Sequence, residues 1–253
     1  MNLKKWLLVA LMLSGCQSAT ASKPGVLLLG DDARLSLTSN TGVDVPRKGA
    51  SASEVASAAA TAKHAVIVVD AANGPLQVIR EHILIARQAR VPSMSMLVVN
   101  TDALNGLPDK ATLLDLEVAE VREIFNKYEI KGSAVPVFFD EDGLKSILGE
   151  AAALPARAPE STSSPSRKYV AGIIYLLSVP ESPVVEPIGF GDTVTVWLGG
   201  QTTTARVNSK ATIEPGGVGD IQLTADVPLL YSAGQRFLIE SSGMIVAAGV
   251  ATE

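Results

Sequence analysis

The chain has 253 residues, a formal net charge of −5 at pH 7 and a single cysteine. An acidic chain with only 4% aromatic residues lacks the basic surface and the stacking platforms that nucleic acids need, so we expect no nucleic-acid partner. One cysteine excludes an internal disulfide, so stability has to come from hydrophobic cores.

The first sixteen residues have the pattern of a secretory signal peptide. A short basic start precedes an apolar run over residues 6–13, which is too short to span a bilayer as a helix. The run ends in Leu13-Ser14-Gly15-Cys16, as in bacterial lipoproteins. We predict lipidation of Cys16, with a palmitate-type anchor as the membrane contact; the alternative is a plain signal peptide with a chance cysteine. Gln17 after the cysteine, rather than aspartate, favours the outer membrane of the cell envelope.

Strands alternate with helices between residues 25 and 150, after a small, polar stretch at 17–24 that predicts a tether. Short apolar runs predict strands at 25–29, 65–70, 94–99 and 135–139. Alanine-rich or amphipathic patterns predict helices at 50–63, 76–89 and 110–128. This alternation predicts an α/β domain over 25–150 with a mainly parallel sheet.

The pattern changes after residue 150. Residues 151–167 are rich in alanine, proline and serine and predict a linker. From 168 to 253 the hydrophobic period becomes two, which predicts an all-β half, either a sandwich or a barrel. Alternating segments predict strands at 193–198, 211–213 and 221–225.

Two blocks of motifs carry a family resemblance. The first block consists of Asn73-Gly74-Pro75, Arg80-Glu81-His82-Ile83-Leu84, Arg87-Gln88 and Val91-Pro92. Its order and spacing resemble the GTP-binding domain of translation elongation factor Tu. The second block, which includes Pro215-Gly216, Arg236-Phe237 and the segment 246–250, resembles the last β-barrel of that family. The resemblance implies a P-loop-GTPase-like α/β domain joined to a smaller C-terminal β-barrel, with the family's middle barrel missing.

The resemblance places the family's phosphate loop at the end of the first strand, where key residue types differ. The family has glycine, lysine and threonine there, which hold the phosphates and Mg²⁺. Here those positions hold Ala33, Arg34 and Leu35, followed by Ser36. An alanine Cβ hinders close phosphate approach, arginine lacks the compact ammonium, and leucine lacks a hydroxyl. Arg34 could bind another anion, but a solvated charge at a helix start is the favoured interpretation.

The motif that attends the γ-phosphate in the family is also altered. Gapless counting places it on residues 44–48, where Asp44 is kept. Arg47 takes the place of the glycine, and Lys48 takes the place of the histidine that helps position the attacking water. Only five residues separate Thr38 from Asp44, so the family's first switch is deleted.

The base-reading motif of the family maps onto residues 99–102. Asn100 replaces the lysine whose stem packs on the base, while Asp102 is kept. Asp102 could accept from a guanine edge, although a turn or cap role is the favoured interpretation. The last guanine motif should follow residue 139, but Asp140 to Gly143 predict a turn there.

We therefore expect a protein that has lost GTP hydrolysis and tRNA delivery and that acts as a binding or structural protein of the envelope. The alternative is a GTP-binding, elongation-factor-like protein with GTP and Mg²⁺ as cofactors. Otherwise we expect no cofactor and no catalytic residue. We also expect no metal site, because the two histidines are isolated. The expected partners are the membrane and an unknown envelope protein or ligand. The degenerate nucleotide cleft is predicted to contain Ala33, Arg34, Leu35, Ser36, Asp44, Arg47, Lys48, Asn100 and Asp102.

Overall fold

The computed structural model describes residues 25–39, 42–155, 157 and 164–252. The predicted signal peptide with Cys16, the tether at 17–24, and residues 156 and 158–163 of the predicted linker lie outside the described residues. Within the described part of the chain, no helix is long and apolar enough to cross a membrane.

The first half contains a five-stranded parallel sheet in the order β2-β1-β3-β4-β5. The strands are β1 (Val26–Gly30), β2 (Val43–Asp44), β3 (His64–Asp70), β4 (Ser93–Val99) and β5 (Val137–Phe139). Every residue of β1 and β3 is buried, as expected for central strands that helices cover on both faces. The predicted α/β class with a mainly parallel sheet is confirmed.

Four α-helices cover this sheet. They are α1 (Ala52–Ala59), α2 (Gln77–Gln88), α3 (Lys110–Lys127) and α4 (Asp140–Ala152). Because strand side chains alternate between faces, Leu27 and Leu29 of β1 pack in the core with α1, α2 and α3, while Leu28 packs in a second core with α4. Helix α1 is capped by Ser51, whose Oγ accepts from the Glu54 backbone N–H at 3.3 Å in a capping box.

The prediction of a turn at Asp140 to Gly143 is wrong, because these residues form the first turn of α4. Acidic residues and glycine are common in turns, but acidic side chains are also favourable at a helix N-terminus. Gly143 faces Phe138 so closely that a Cβ there would lie 2.8 Å from the Phe138 Cβ. The glycine therefore serves close packing rather than a turn.

The second half is a closed, six-stranded antiparallel barrel in the order β10-β11-β6-β9-β8-β7. Its strands are β6 (Ser166–Leu176), β7 (Thr193–Leu198), β8 (Gln201–Val207), β9 (Val218–Leu230), β10 (Arg236–Ser241) and β11 (Met244–Ala251). The barrel alternative is confirmed over the sandwich, and the strands expected at 193–198 and 221–225 fall in β7 and β9.

The strand expected at 211–213 is absent. Ile213 forms only an isolated bridge with Ile188. The chain turns soon afterwards at Gly216, whose φ is +82°, so the segment is too short to extend a ladder.

The two halves share one hydrophobic core. Trp197, Leu238 and Ile245 of the barrel belong to the same buried cluster as the inner faces of α1 and α2. Gln88 of α2 is also buried, and its Nε2 donates to the Phe237 carbonyl oxygen at 3.1 Å. The barrel is therefore packed against the α/β domain through side chains that water does not reach.

Candidate functional site

The carboxyl ends of the parallel strands form the edge where open α/β sheets bind ligands. Gly30, Asp44, Asp70 and Val99 are the last residues of β1 to β4 and lie at this edge. The residues predicted for the cleft lie in the segments that follow β1, β2 and β4. The structure therefore places the predicted residues at one edge of the sheet, although their side chains do not converge on a common centre.

The connection after β1 is very short. A 3₁₀ helix, Asp32–Ser39, begins only one residue after the strand ends. Leu28, where the family resemblance places the first glycine of the phosphate loop, lies inside β1, pairs with Val66 and is fully buried. Only Asp31 remains between the strand and the 3₁₀ helix.

Backbone N–H groups in this connection are bonded to the protein itself. Gly30 N donates to His82 Nδ1 at 2.7 Å, and Asp31 N donates to the Val68 carbonyl oxygen at 2.9 Å. Ala33 N donates to Asp31 Oδ1 at 2.7 Å, and Arg34 N donates to the Asp31 carbonyl oxygen at 3.0 Å. A phosphate loop works by directing such donors at the ligand, and here they point at protein acceptors.

The favoured interpretation of Arg34 as a solvated charge is wrong, because only 3% of the residue is exposed. Its Nη1 donates to the Gly30 carbonyl oxygen at 2.9 Å and to Asp32 Oδ1 at 2.8 Å. The side chain thus folds back under its own loop, where a guanidinium can be desolvated because it has fixed acceptors. The sequence could not show the direction of the Arg34 side chain, since this depends on the position of Gly30 relative to the 3₁₀ helix.

The basic side chains of the predicted cleft are held by carboxylates. Lys48 Nζ lies 3.1 Å from Asp32 Oδ2, so Arg34 and Lys48 share one aspartate. Burial alone would raise the pKa of Asp32, but bonds from Lys48 and Arg34 outweigh it and lower that pKa. Arg47 instead pairs with Glu54 at 2.9 Å, at the start of α1. The three cations therefore do not form one anion site.

The remaining predicted residues have local roles. Ser36 Oγ donates to the Ala33 carbonyl oxygen at 2.7 Å, and Leu35 is half-buried in the same 3₁₀ helix. Asp44 is a half-buried strand end that pairs with β1. Asp102 accepts from Asn105 Nδ2 at 2.9 Å, which agrees with the turn interpretation.

Sequence reasoning missed the polar contact that joins β4 to α4. Asn100 has a left-handed φ of 57° and leads into Thr101, whose Oγ1 donates to Asp140 Oδ2 at 2.6 Å. Asp140 also has a positive φ, 51°, and begins α4, whose first four residues were predicted to form a turn. Recognising the acidic first turn of α4 could have indicated this contact.

Carboxylates outnumber cations at this edge, and they accept from neighbouring backbone and side-chain donors. Asp70 is buried; its Oδ1 accepts from Ala72 N at 3.0 Å, and its Oδ2 accepts from Asn73 Nδ2 at 2.9 Å. Asp31 is buried as well. Among the described residues, no group of three or more His, Cys, Asp or Glu side chains is arranged to hold a metal ion. A triphosphate needs compensating cations, and Arg34, Arg47 and Lys48 at this edge are already paired with carboxylates.

His82 ties this edge to α2. The residue is buried, and burial together with the charge of Arg34 lowers the pKa of His82 to about 3. Its imidazole is thus neutral at pH 7 and accepts the Gly30 N–H through Nδ1. Burial also lowers the pKa of His64, whose Nε2 lies 2.8 Å from Ser95 Oγ.

Another buried carboxylate, Glu181, lies between the domains. Glu181 Oε2 accepts from Tyr175 Oη at 2.5 Å and from Ser178 Oγ at 2.6 Å, and Glu181 Oε1 lies 2.8 Å from Lys127 Nζ of α3. Burial alone would raise the pKa of Glu181, but these bonds lower it to about 2. The cluster joins the barrel to α3 as a structural contact.

Comparison with known families agrees with this architecture. Residues 40–146 match the family model of the elongation factor Tu GTP binding domain. The matched region includes Asp44, Arg47, Lys48, Asn100 and Asp102, while residues 33–36 precede it. With the α/β domain followed by a six-stranded β-barrel, the chain has an elongation-factor-Tu-like GTPase fold.

Proposed function

We propose that this protein is an elongation-factor-Tu-like protein without GTP hydrolysis or tRNA delivery, and that it acts as a binding or structural protein of the bacterial cell envelope. In this proposal the middle barrel of the family is missing. The observation that carries the proposal is the internal hydrogen bonding of the Gly30, Asp31, Ala33 and Arg34 N–H groups.

The energetics of the loop support the loss of nucleotide binding. A bound triphosphate would have to replace four internal hydrogen bonds, each worth about 1 kcal/mol net, and would have to unfold the end of β1. Freeing Gly30 N would also leave the buried imidazole of His82 without its donor. The carboxylates of Asp31 and Asp32 would then lie beside the phosphates. Fold similarity does not preserve a function when its site has changed in this way.

The second candidate is a GTP-binding protein, which the match of residues 40–146 to the GTP binding domain supports. Asp102 is exposed at the carboxyl edge of the sheet, where guanine is read in the family. This candidate requires residues 31–34 to rearrange on binding.

Titration with a fluorescent GTP analogue and Mg²⁺ distinguishes the two candidates. We expect no saturable binding in the micromolar range, because the loop donors are already used. The matched variant is Asp102→Asn, which removes the guanine-selective acceptor at an exposed position. Saturable, Mg²⁺-dependent binding that GTP but not ATP displaces, and that Asp102→Asn abolishes, would establish the GTP-binding candidate instead.

The envelope location rests on residues 1–16 and has its own test. Cells that express the full chain are fed an alkyne-labelled palmitate, and outer membranes are then separated from inner membranes and from soluble fractions. We expect the chain to carry the label and to sediment with outer membranes, whereas Cys16→Ser should be unlabelled. An unlabelled, soluble parent chain would contradict the lipid anchor while leaving the loop argument intact.

A further inference from the structure

Basic side chains gather at the opposite edge of the sheet from the predicted cleft. We define the basic pocket by its four cations: Arg87 at the end of α2, Arg90 in the following turn, Lys131 before β5, and Arg236 at the start of β10. They surround a cavity of about 840 Å³ that lies where β4 begins. Its size is in the range of small-molecule sites, and both domains contribute to its walls.

The charge of the basic pocket is not balanced by the protein. Among the described residues, Glu129 is the only carboxylate that lines it, and this side chain pairs with Arg87. Arg90, Lys131 and Arg236 form no ion pair with any residue in the described ranges. This excess of positive charge contrasts with a chain whose formal net charge is −5.

The arginines are fixed in place but keep most of their donors. Arg90 Nη2 donates to the Gly234 carbonyl oxygen at 2.7 Å, and Arg236 Nη1 donates to the Arg87 carbonyl oxygen at 2.9 Å. Each guanidinium has five N–H groups, and no other hydrogen bond joins these two side chains to described residues. Both hydrogen bonds cross between the domains, so the packing of the domains orients the two guanidinium groups before any ligand binds.

The cations also repel one another. Burial, together with the charges of Arg87 and Arg90, lowers the pKa of Arg236. Like charges held together in this way destabilise the empty pocket, and an anion between them would remove that repulsion. A singly charged anion would leave an excess of positive charge, so the pocket favours a ligand with two or more negative charges.

We propose that the basic pocket binds a multiply charged phosphate anion, with Arg90 and Arg236 as ligands from the two domains and Lys131 as a third cation. Guanidinium forks match the paired oxygens of a phosphate group. The phosphate could belong to a free phosphorylated compound or to the headgroup of a lipid with a terminal phosphate. The basic pocket does not include the loop after β1, so this proposal does not depend on whether the protein binds GTP.

The test is calorimetric titration of the full chain, held in a neutral detergent, with pyrophosphate. We expect saturable binding that weakens steeply with added salt. The double variant Arg90→Gln/Lys131→Gln should raise the dissociation constant by at least about tenfold, which is equivalent to about 1.4 kcal/mol of lost binding free energy. A single-charge control, Lys210→Gln on the barrel, should leave the affinity unchanged.

Short-chain phosphatidic acid in the same detergent identifies the source of the phosphate. Binding that exceeds that of pyrophosphate assigns the site to a lipid headgroup, whereas binding of pyrophosphate alone assigns it to a free phosphorylated compound. The proposal is overturned if neither ligand binds, or if the Lys210→Gln control weakens binding as much as the double variant. Because the substitution of Arg90 removes a hydrogen bond between the domains, the circular dichroism melt of the double variant must match that of the parent. If the melts differ, Lys131→Gln alone has to weaken the binding of pyrophosphate.

Discussion

Replacing Gly30 with alanine should destabilise the protein by more than about 4 kcal/mol, a large share of the stability of a typical domain. Gly30 has a φ of +90°, and a Cβ there would lie 2.2 Å from the Val68 carbonyl oxygen and 2.9 Å from its nitrogen. Both atoms belong to the backbone of the central strand β3, so neither can move without breaking the sheet. The alanine would also displace the N–H that His82 accepts.

Gly106 provides a matched control for this substitution. Its φ is also +90°, but nothing lies within 4 Å of the position that a Cβ would take. Gly106→Ala should therefore cost only the strain of a left-handed alanine, about 1–2 kcal/mol. Urea unfolding followed by circular dichroism measures both variants. Equal losses for the two variants would show that the end of β1 can relax and that the clash at Val68 is unimportant.

Acidification from pH 7 to pH 4 should destabilise the fold by several kcal/mol, chiefly through His82. Its pKa is about 3 in the folded protein and about 6.5 when unfolded, so between these values the unfolded state binds more protons. Folding stability then falls by about 1.4 kcal/mol per pH unit as the pH drops below 6.5. His64, whose pKa is also lowered, contributes in the same direction.

Carboxylates modify the lower part of this acid range. The pKa of Glu181 is lowered from 4.5 to about 2, so its stabilisation is complete above pH 4.5 and is lost as the pH falls towards 2. Burial raises the pKa values of Glu81 and Glu117, so these groups oppose the trend and favour the folded state as the pH falls towards 4.5. The histidine contribution is therefore clearest between pH 6.5 and 5.

The variant His82→Gln isolates the contribution of His82. Glutamine keeps an acceptor for the Gly30 N–H but does not titrate, so the slope of unfolding free energy against pH should flatten between pH 6.5 and 5. His64→Gln is the matched control and should leave most of the slope in place. Urea unfolding at each pH measures these slopes, and an unchanged slope in His82→Gln would contradict a neutral, buried imidazole.

The sequence could predict the elements whose pattern is local. Helix α3 was predicted at almost its observed bounds because one apolar face repeats over its whole length. The change to a period of two likewise indicated the all-β half. Asp140 to Gly143 were misinterpreted because their composition suits both a turn and a helix start.

The candidate site was harder to predict, because its chemistry depends on distant partners. The substitution of residues 33–35 predicted impaired phosphate binding, and this stays a prediction. The sequence did not show that Val68 and His82 would accept the loop donors, since these residues lie more than thirty positions away along the chain. The basic pocket was missed for the same reason, because Arg90 and Arg236 meet only when the barrel packs on α2.

The shared core between the domains gives the protein an intrinsic optical probe. Trp197 is 3% exposed, lies among side chains from both domains, and has no hydrogen-bond partner for its indole N–H among the described residues. The only other tryptophan is Trp6, within the predicted signal peptide. In a processed chain, a blue-shifted emission would report that the halves are docked, and a red shift on separation would follow undocking without any added label.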